Sequence, residues 1–211
     1  MLGKIGPLFT LAAALIVGGC TTILPLVVPS HNQTVDTSAI RSGHYVLDPA
    51  HGSVHFRVDH MGYSIYVARF NEIDAQFDFD NKRPELSTLI ITIRADSIDS
   101  GNKKMDKLIA GRDFLNARRY PDILFRADGV TIVDERTGII NGTLTFHGVT
   151  RPQTLQLTFR GGARNFLTGK YTLGFSASAS LLRSDYNMGA YIPLVSDEVR
   201  IQIEAEFQLQ K

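Results

Sequence analysis

The sequence has no tryptophan and a single cysteine, Cys20. One thiol cannot close an internal disulfide, and a cysteine-based zinc site is excluded with it. An excess of one charge is missing too, since 22 Lys and Arg face 21 Asp and Glu over 211 residues. That balance gives no electrostatic reason to expect nucleic acid as a partner, because phosphate binding needs a clustered positive surface. The N-terminal apolar run, Leu8 to Val17, is too short to span a bilayer as a helix. The glycine-rich phosphate loops and the G-x-S-x-G nucleophile elbow do not occur. What remains is 44% hydrophobic and 20% charged, enough for a sizeable core and incompatible with wholesale disorder. Eighteen glycines favour many turns, hence strands over long helices.

Residues 1–19 read as a processing segment, with Lys4 ahead of the apolar run and small residues at its end. The run closes as Val17-Gly18-Gly19-Cys20, which resembles the lipobox of bacterial lipoproteins. That resemblance implies acylation of Cys20 and cleavage just before it. Two or three acyl chains exceed what stable anchoring requires. The expected address is the cell envelope, on the periplasmic side, with the outer membrane favoured in a diderm because Thr21 follows the cysteine. Residues 20–43 are expected to be a tether, with Pro25 and Pro29 preventing a regular helix and no packed structure before about His44.

From His44 the apolar residues recur with period two, the pattern of strands with one buried face. Val54, Phe56 and Val58 share one side; Ile73, Ala75, Phe77 and Phe79 follow, then Leu89, Ile91 and Ile93. Ile123, Phe125 and Ala127, then Leu144 and Phe146, then Leu155, Leu157 and Phe159 continue it. Leu173 to Leu181 and Val199 to Leu209 close the series. One segment departs: Met105, Leu108 and Ile109 sit at helical spacing between Asn102, a natural N-cap, and Gly111. A short helix is expected there, over the sheet or over its mouth. Eight or more antiparallel strands must close into a barrel or pair as a sandwich to hide their edges. Long strands with glycine-rich bends lean towards a barrel, whose interior is either filled by side chains or open to one small ligand.

The six histidines invite a metal reading, but their spacing argues against it. His55 and His60 have opposite parity on one strand, and His51 lies roughly 13 Å along the strand from His55. No metal, cofactor or catalytic group is expected. Asp96, Asp99, Asp106 and Asp113 cluster around the helix, where carboxylates act as caps and solvated charges.

A set of ordered fragments carries more. Tyr45-x-Leu47-Asp48-Pro49-x-His51-x-x-Val54-x-Phe56-x-Val58-x-His60 comes first, then Ile93-x-Ala95-Asp96-Ser97-Ile98-Asp99, Leu108 and Asp113-Phe114. Tyr120-Pro121-x-Ile123-x-Phe125, Gly142-x-Leu144-Thr145-x-x-Gly148-Val149-Thr150-x-Pro152, Gly174-Phe175-x-Ala177, Arg183-Ser184-Asp185-Tyr186 and Val195-Ser196-Asp197-Glu198-Val199 complete it. Together they resemble the YceI family. The resemblance implies an all-β fold over residues 44–211, an extended, lipocalin-like, eight-stranded antiparallel β-barrel with one short helix near 102–110. It also implies an apolar cavity for a polyisoprenoid, such as an isoprenoid quinone or a polyprenyl alcohol or phosphate. Binding and carriage or buffering of that lipid, without catalysis, is the expected function; the alternative is an envelope lipoprotein with a packed barrel serving as an interaction module. A homodimer is compatible with either.

The apolar parity set and the resemblance meet on the candidate cavity residues Phe56, Val58, Phe77, Phe79, Ile91, Ile93, Phe125, Leu144, Phe146, Phe175 and Ala177. Asp113, Arg183 and Asp185 are candidates for the cavity mouth, with turn and helix-end hydrogen bonding as the competing role. One local departure is Tyr186-Asn187-Met188-Gly189, where the family has an aromatic residue followed by Gly-Met. Asn tolerates a left-handed backbone, so the turn is expected to survive.

Overall fold

The computed structural model describes residues 39–211. The expected signal segment, Cys20 and most of the expected tether lie outside the described residues. Among the described residues, twelve strands form one antiparallel sheet, accompanied by one α-helix: β1 (Gly43–Leu47), β2 (Ser53–His60), β3 (Ser64–Phe70), β4 (Ile73–Phe79), β5 (Thr88–Arg94) and β6 (Ile98–Asp99). Helix α1 (Lys103–Ile109) follows, then β7 (Asp122–Asp128), β8 (Thr131–Ile132), β9 (Thr137–Phe146), β10 (Val149–Arg164), β11 (Tyr171–Leu182) and β12 (Val195–Leu209).

Eight of these strands close a ring, in the order β1-β4-β5-β7-β9-β10-β11-β12 and back to β1. Closure depends on the length of β12. Its C-terminal end pairs with β1 (Tyr45 opposite Leu209), while its N-terminal half pairs with β2 (Ile203 opposite Val54). β2, β3 and the short β6 therefore extend one wall beyond the ring. The register gives the barrel two distinct ends. The helix end carries α1, the β2–β3 and β9–β10 turns and the segment from Arg183 to Leu194. The other end carries both termini of the domain and the β4–β5 and β10–β11 turns.

Asn102 caps α1 as its sequence suggests, its side chain accepting from the amides of Lys104 and Met105. Asn187 adopts the left-handed conformation (φ 58°), and Met188 behind it is buried, so the substituted turn is kept. Gly148 is required at the β9–β10 turn: φ is +78°, and a Cβ there would sit 2.6 Å from the Tyr120 ring.

Two expectations need correction. Packed structure begins before His44, because Ile40 is buried among Tyr45, Leu173 and Phe207, and Tyr45 donates to the Arg41 carbonyl. An apolar side chain three residues upstream of the strand plugs the barrel end, a contact that periodicity does not reveal. The second is β3, whose segment no alternation had marked. Tyr66, Ala68 and Phe70 face inward, but Ile65 and Val67 on the outer face are also apolar, so the period-two contrast is erased.

Candidate functional site

The barrel is hollow along much of its length. At the helix end is a cavity of about 430 Å³. At the opposite end is a narrower one of about 130 Å³. Val54, Ile91, Leu155 and Ile203 line both, so the two lie end to end and share a waist made by β2, β5, β10 and β12.

All eleven sequence-derived cavity candidates lie on these walls. Phe56, Val58, Ile93, Phe125, Leu144 and Phe146 line the wide cavity. Phe77, Phe79, Phe175 and Ala177 line the narrow one, and Ile91 stands at the waist. The reason is parity: nine of them occupy inward positions on ring strands, and Phe56 and Val58 occupy alternate positions on β2, which continues the wall from β12.

The two ends differ in how their rings pack on one another. At the narrow end Phe77 is the hub of an aromatic cluster, stacked on Tyr45 at 4.9 Å and edge-on to Phe207 at 5.2 Å and Phe175 at 5.9 Å. Phe159 then packs on Phe175 at 5.4 Å. Rings line the wide cavity as well, Phe56, Phe125 and Phe146 among them, but they do not gather there into a cluster of this size. Burial raises the Tyr45 hydroxyl far above its ordinary range, so it stays neutral.

Several wall residues were not legible as such in the sequence. Tyr66 and Phe70 come from β3, and Met105, Ile109 and Phe114 come from α1 and the turn after it. The helix thus covers the wide cavity, resolving the choice between sheet and mouth. Phe114 stacks on Tyr191 at 5.6 Å, joining that turn to the segment before β12 across the opening.

The three mouth candidates separate. Arg183 reaches the wide cavity wall but is buried and fully engaged, donating to the carbonyls of Met188, Ala190, Val195 and Ser196 at 2.8–3.0 Å. It is a clamp that shapes the 183–195 segment. Asp185 is outside, paired with Arg151 at 3.4 Å. Asp113 is exposed and does not line the cavity, although its neighbour Phe114 does. The structure does not bring the three together around a ligand opening, and hydrogen bonding accounts for Arg183.

Polar side chains are sparse in the wide cavity, where His60, Gln153 and Arg183 reach the wall. The narrow one is lined by Ser53, Ser87, Thr88, Asp134, Arg136 and Thr137 as well as Glu204, which accepts from Ser176. An environment as apolar as the wide cavity favours hydrocarbon over charged or richly hydroxylated ligands, since each unpaired polar atom buried there costs free energy.

Outside the barrel, Asp48, His51 and Glu206 place one ligand atom each within 4.8 Å of one another. Asp48 is already satisfied by the amide of Ala50, His51 Nδ1 and Gln208 Nε2. A cation would have to displace these bonds. The two carboxylates hold the His51 imidazole above its ordinary pKa, with the Asp48 hydrogen bond the larger effect, which favours a proton over a metal.

Comparison with known proteins places this geometry. The model of the YceI-like domain matches residues 45–207. The chain belongs to the YceI-like family. A UPF0312 protein of Shewanella oneidensis is 32% identical over 170 residues, covering 80% of this chain and 88% of the relative. The crystal structure of the Campylobacter jejuni YceI protein superposes with a TM-score of 0.66 at 29% identity, over 72% of this chain and 90% of that one. A domain from Saccharophagus degradans, described as polyisoprenoid-binding, shares the fold with a TM-score of 0.62 at 15% identity, covering 79% and 98% of the two chains. The YceI-like barrel has the eight-stranded, closed form that the resemblance implied.

Proposed function

We propose that this YceI-like barrel holds the hydrocarbon chain of a polyisoprenoid lipid, threaded through the waist from the wide cavity into the narrow one. The observation that carries this is the pair of apolar cavities in line, with four residues common to both walls. A branched, flexible chain suits a hollow with a constriction better than a rigid ring system does. The larger cavity falls within the usual range for ligand sites, about 300–1,000 Å³. The ligand described for the Saccharophagus degradans domain of the same fold supports this choice of lipid.

The energetics favour carriage or buffering over catalysis. A prenyl chain in a bilayer is already out of water, so moving it into an apolar barrel changes its hydrophobic free energy little. Uptake and return are then both accessible. The lipobox-like Val17-Gly18-Gly19-Cys20 supports an acylated chain held on the periplasmic side of the envelope, where such lipids are within reach.

The test is solvent extraction of the protein purified without detergent from its native envelope, followed by mass spectrometry. A polyisoprenoid recovered in a reproducible molar ratio is expected. Recovery of no lipid, or of a random sample of membrane phospholipid, would overturn the reading in favour of an interaction module.

A further inference from the structure

The rim of the wide cavity exposes apolar side chains that the interior does not need. Tyr63, at the tip of the β2–β3 turn, is 85% exposed, and Met61 beside it 47%. Tyr191 and Leu194 in the segment before β12 are 55% and 53% exposed. These form one continuous edge: the Met61 amide donates to the Leu194 carbonyl at 2.7 Å, and Tyr191 stacks on Phe114. Leu108 extends the edge onto α1.

Charge sets this end apart from the other. The stretch 103–119 carries six basic residues, Lys103, Lys104, Lys107, Arg112, Arg118 and Arg119, against Asp106 and Asp113. All six are exposed, whereas Asp106 is buried and bonded to Ser100. Lys103 lies 3.5 Å from Asp106, and the remaining cations face outward. The turns 61–63 and 187–194 add no charge. Among nearby carboxylates, Asp185 pairs with Arg151, Asp96 and Asp122 with Arg94, and Glu198 with Arg200, while Asp59, Asp99 and Asp197 are bonded to neutral donors and keep their charge, so the excess of cations is local to 103–119. At the opposite end, the turns 80–86, 128–136 and 164–170 hold five acidic and five basic residues, a balance that offers an anionic surface no attraction.

The geometry points to the helix end as a docking surface for an anionic lipid bilayer. Tyr63 and Tyr191 sit at the headgroup level, Met61 and Leu194 enter the acyl boundary, and the basic stretch meets the anionic headgroups. Amphipathic aromatic rings beside Lys and Arg are the combination that bilayer interfaces select. Docking this way sets the mouth of the wide cavity against the bilayer. The inference goes beyond ligand carriage and stands on exposure and charge whether or not the cavity is loaded.

The test uses the full chain with Cys20→Ser, so that no acyl anchor contributes and each label is unique. An environment-sensitive fluorophore is placed at Tyr63→Cys or, at the other end, at Leu167→Cys. Vesicles of phosphatidylglycerol with phosphatidylethanolamine are compared with vesicles of phosphatidylcholine. The label at position 63 is expected to brighten and shift blue on anionic vesicles alone, while the label at 167 stays solvent-like. Adding Lys103→Glu, Lys104→Glu and Lys107→Glu is expected to weaken the vesicle titration at least about 100-fold, since each of the three basic side chains near such a surface contributes roughly fivefold. Unchanged melting temperatures confirm that these surface variants fold. The inference is overturned by an equal or larger response at 167, by no response at 63, or by a response at 63 that neutral vesicles or charge reversal leave intact. A change at 63 that follows protein concentration without vesicles would assign the surface to a second copy and also overturn it. Lipid extraction reads the cavity separately, so failure of docking and failure of ligand binding are distinguishable.

Discussion

Replacing Ala179 with tryptophan asks directly whether the interior is empty space or packed core. Ala179 lies on β11 and lines the cavity of about 430 Å³. Ala177, two residues earlier on the same face, lines the one of about 130 Å³ beside Phe175. A tryptophan buries about 150–250 Å². At about 25 cal/mol per Å² that is a gain of at most about 4–6 kcal/mol over full exposure, reduced because the denatured chain already hides part of the ring. Forcing the same ring into a filled core instead costs about 1–3 kcal/mol. The sign of the stability change therefore separates the cases. Ala179→Trp is expected to hold or raise the urea midpoint of the lipid-free protein and to abolish co-purifying lipid. Ala177→Trp, placed among the aromatic rings, is expected to lower stability by about 1–3 kcal/mol. Equal destabilisation at both positions, or full lipid content in Ala179→Trp, would refute the reasoning.

Other consequences follow from single contacts. Arg183→Met removes four charge-assisted bonds and leaves the carbonyls of Met188, Ala190, Val195 and Ser196 unpaired, so urea denaturation should show a loss of at least about 3 kcal/mol. Arg183→Lys should recover only part, because an ammonium cannot span the same fork. Gly148→Ala combines a positive φ with a 2.6 Å approach to Tyr120 and should cost about 1–3 kcal/mol by the same assay. His147 is held below its ordinary pKa by burial; Nδ1 bonds to the Tyr186 carbonyl, and Nε2 is buried with no partner among the described residues. With a depressed folded pKa, its contribution is fully present above the unfolded value of about 6.5 and is lost as pH falls from there through the folded pKa. His147→Asn, which keeps the left-handed backbone, should flatten that part of a stability–pH curve.

Much of the barrel was written in alternation. The inward residues of β4, β5, β7, β9 and β11 declare themselves because most of their outward neighbours are polar, and the family fragments supply closure, which parity alone cannot. β3 escaped because Ile65 and Val67 make both of its faces apolar. Ile40 escaped because one apolar residue has no period. The waist was also illegible: it needs Val54, Ile91, Leu155 and Ile203 at one level of the barrel, which depends on the stagger between strands rather than on any strand's own pattern. Arg183 drew attention as a charged residue in a motif. Only the carbonyls converging from residues 188–196 show that it clamps a loop.

The central claim is a continuous greasy passage with one lipid tail inside it. A crystal structure of the protein purified from its native host without exposure to detergent tests this most directly. The account predicts unbroken, chain-like density running from beside Phe114, between Leu155 and Ile203, to the rings of Phe77 and Phe79. Separate ordered waters in the two chambers, or side chains from the waist closing the passage with nothing on either side, would contradict it.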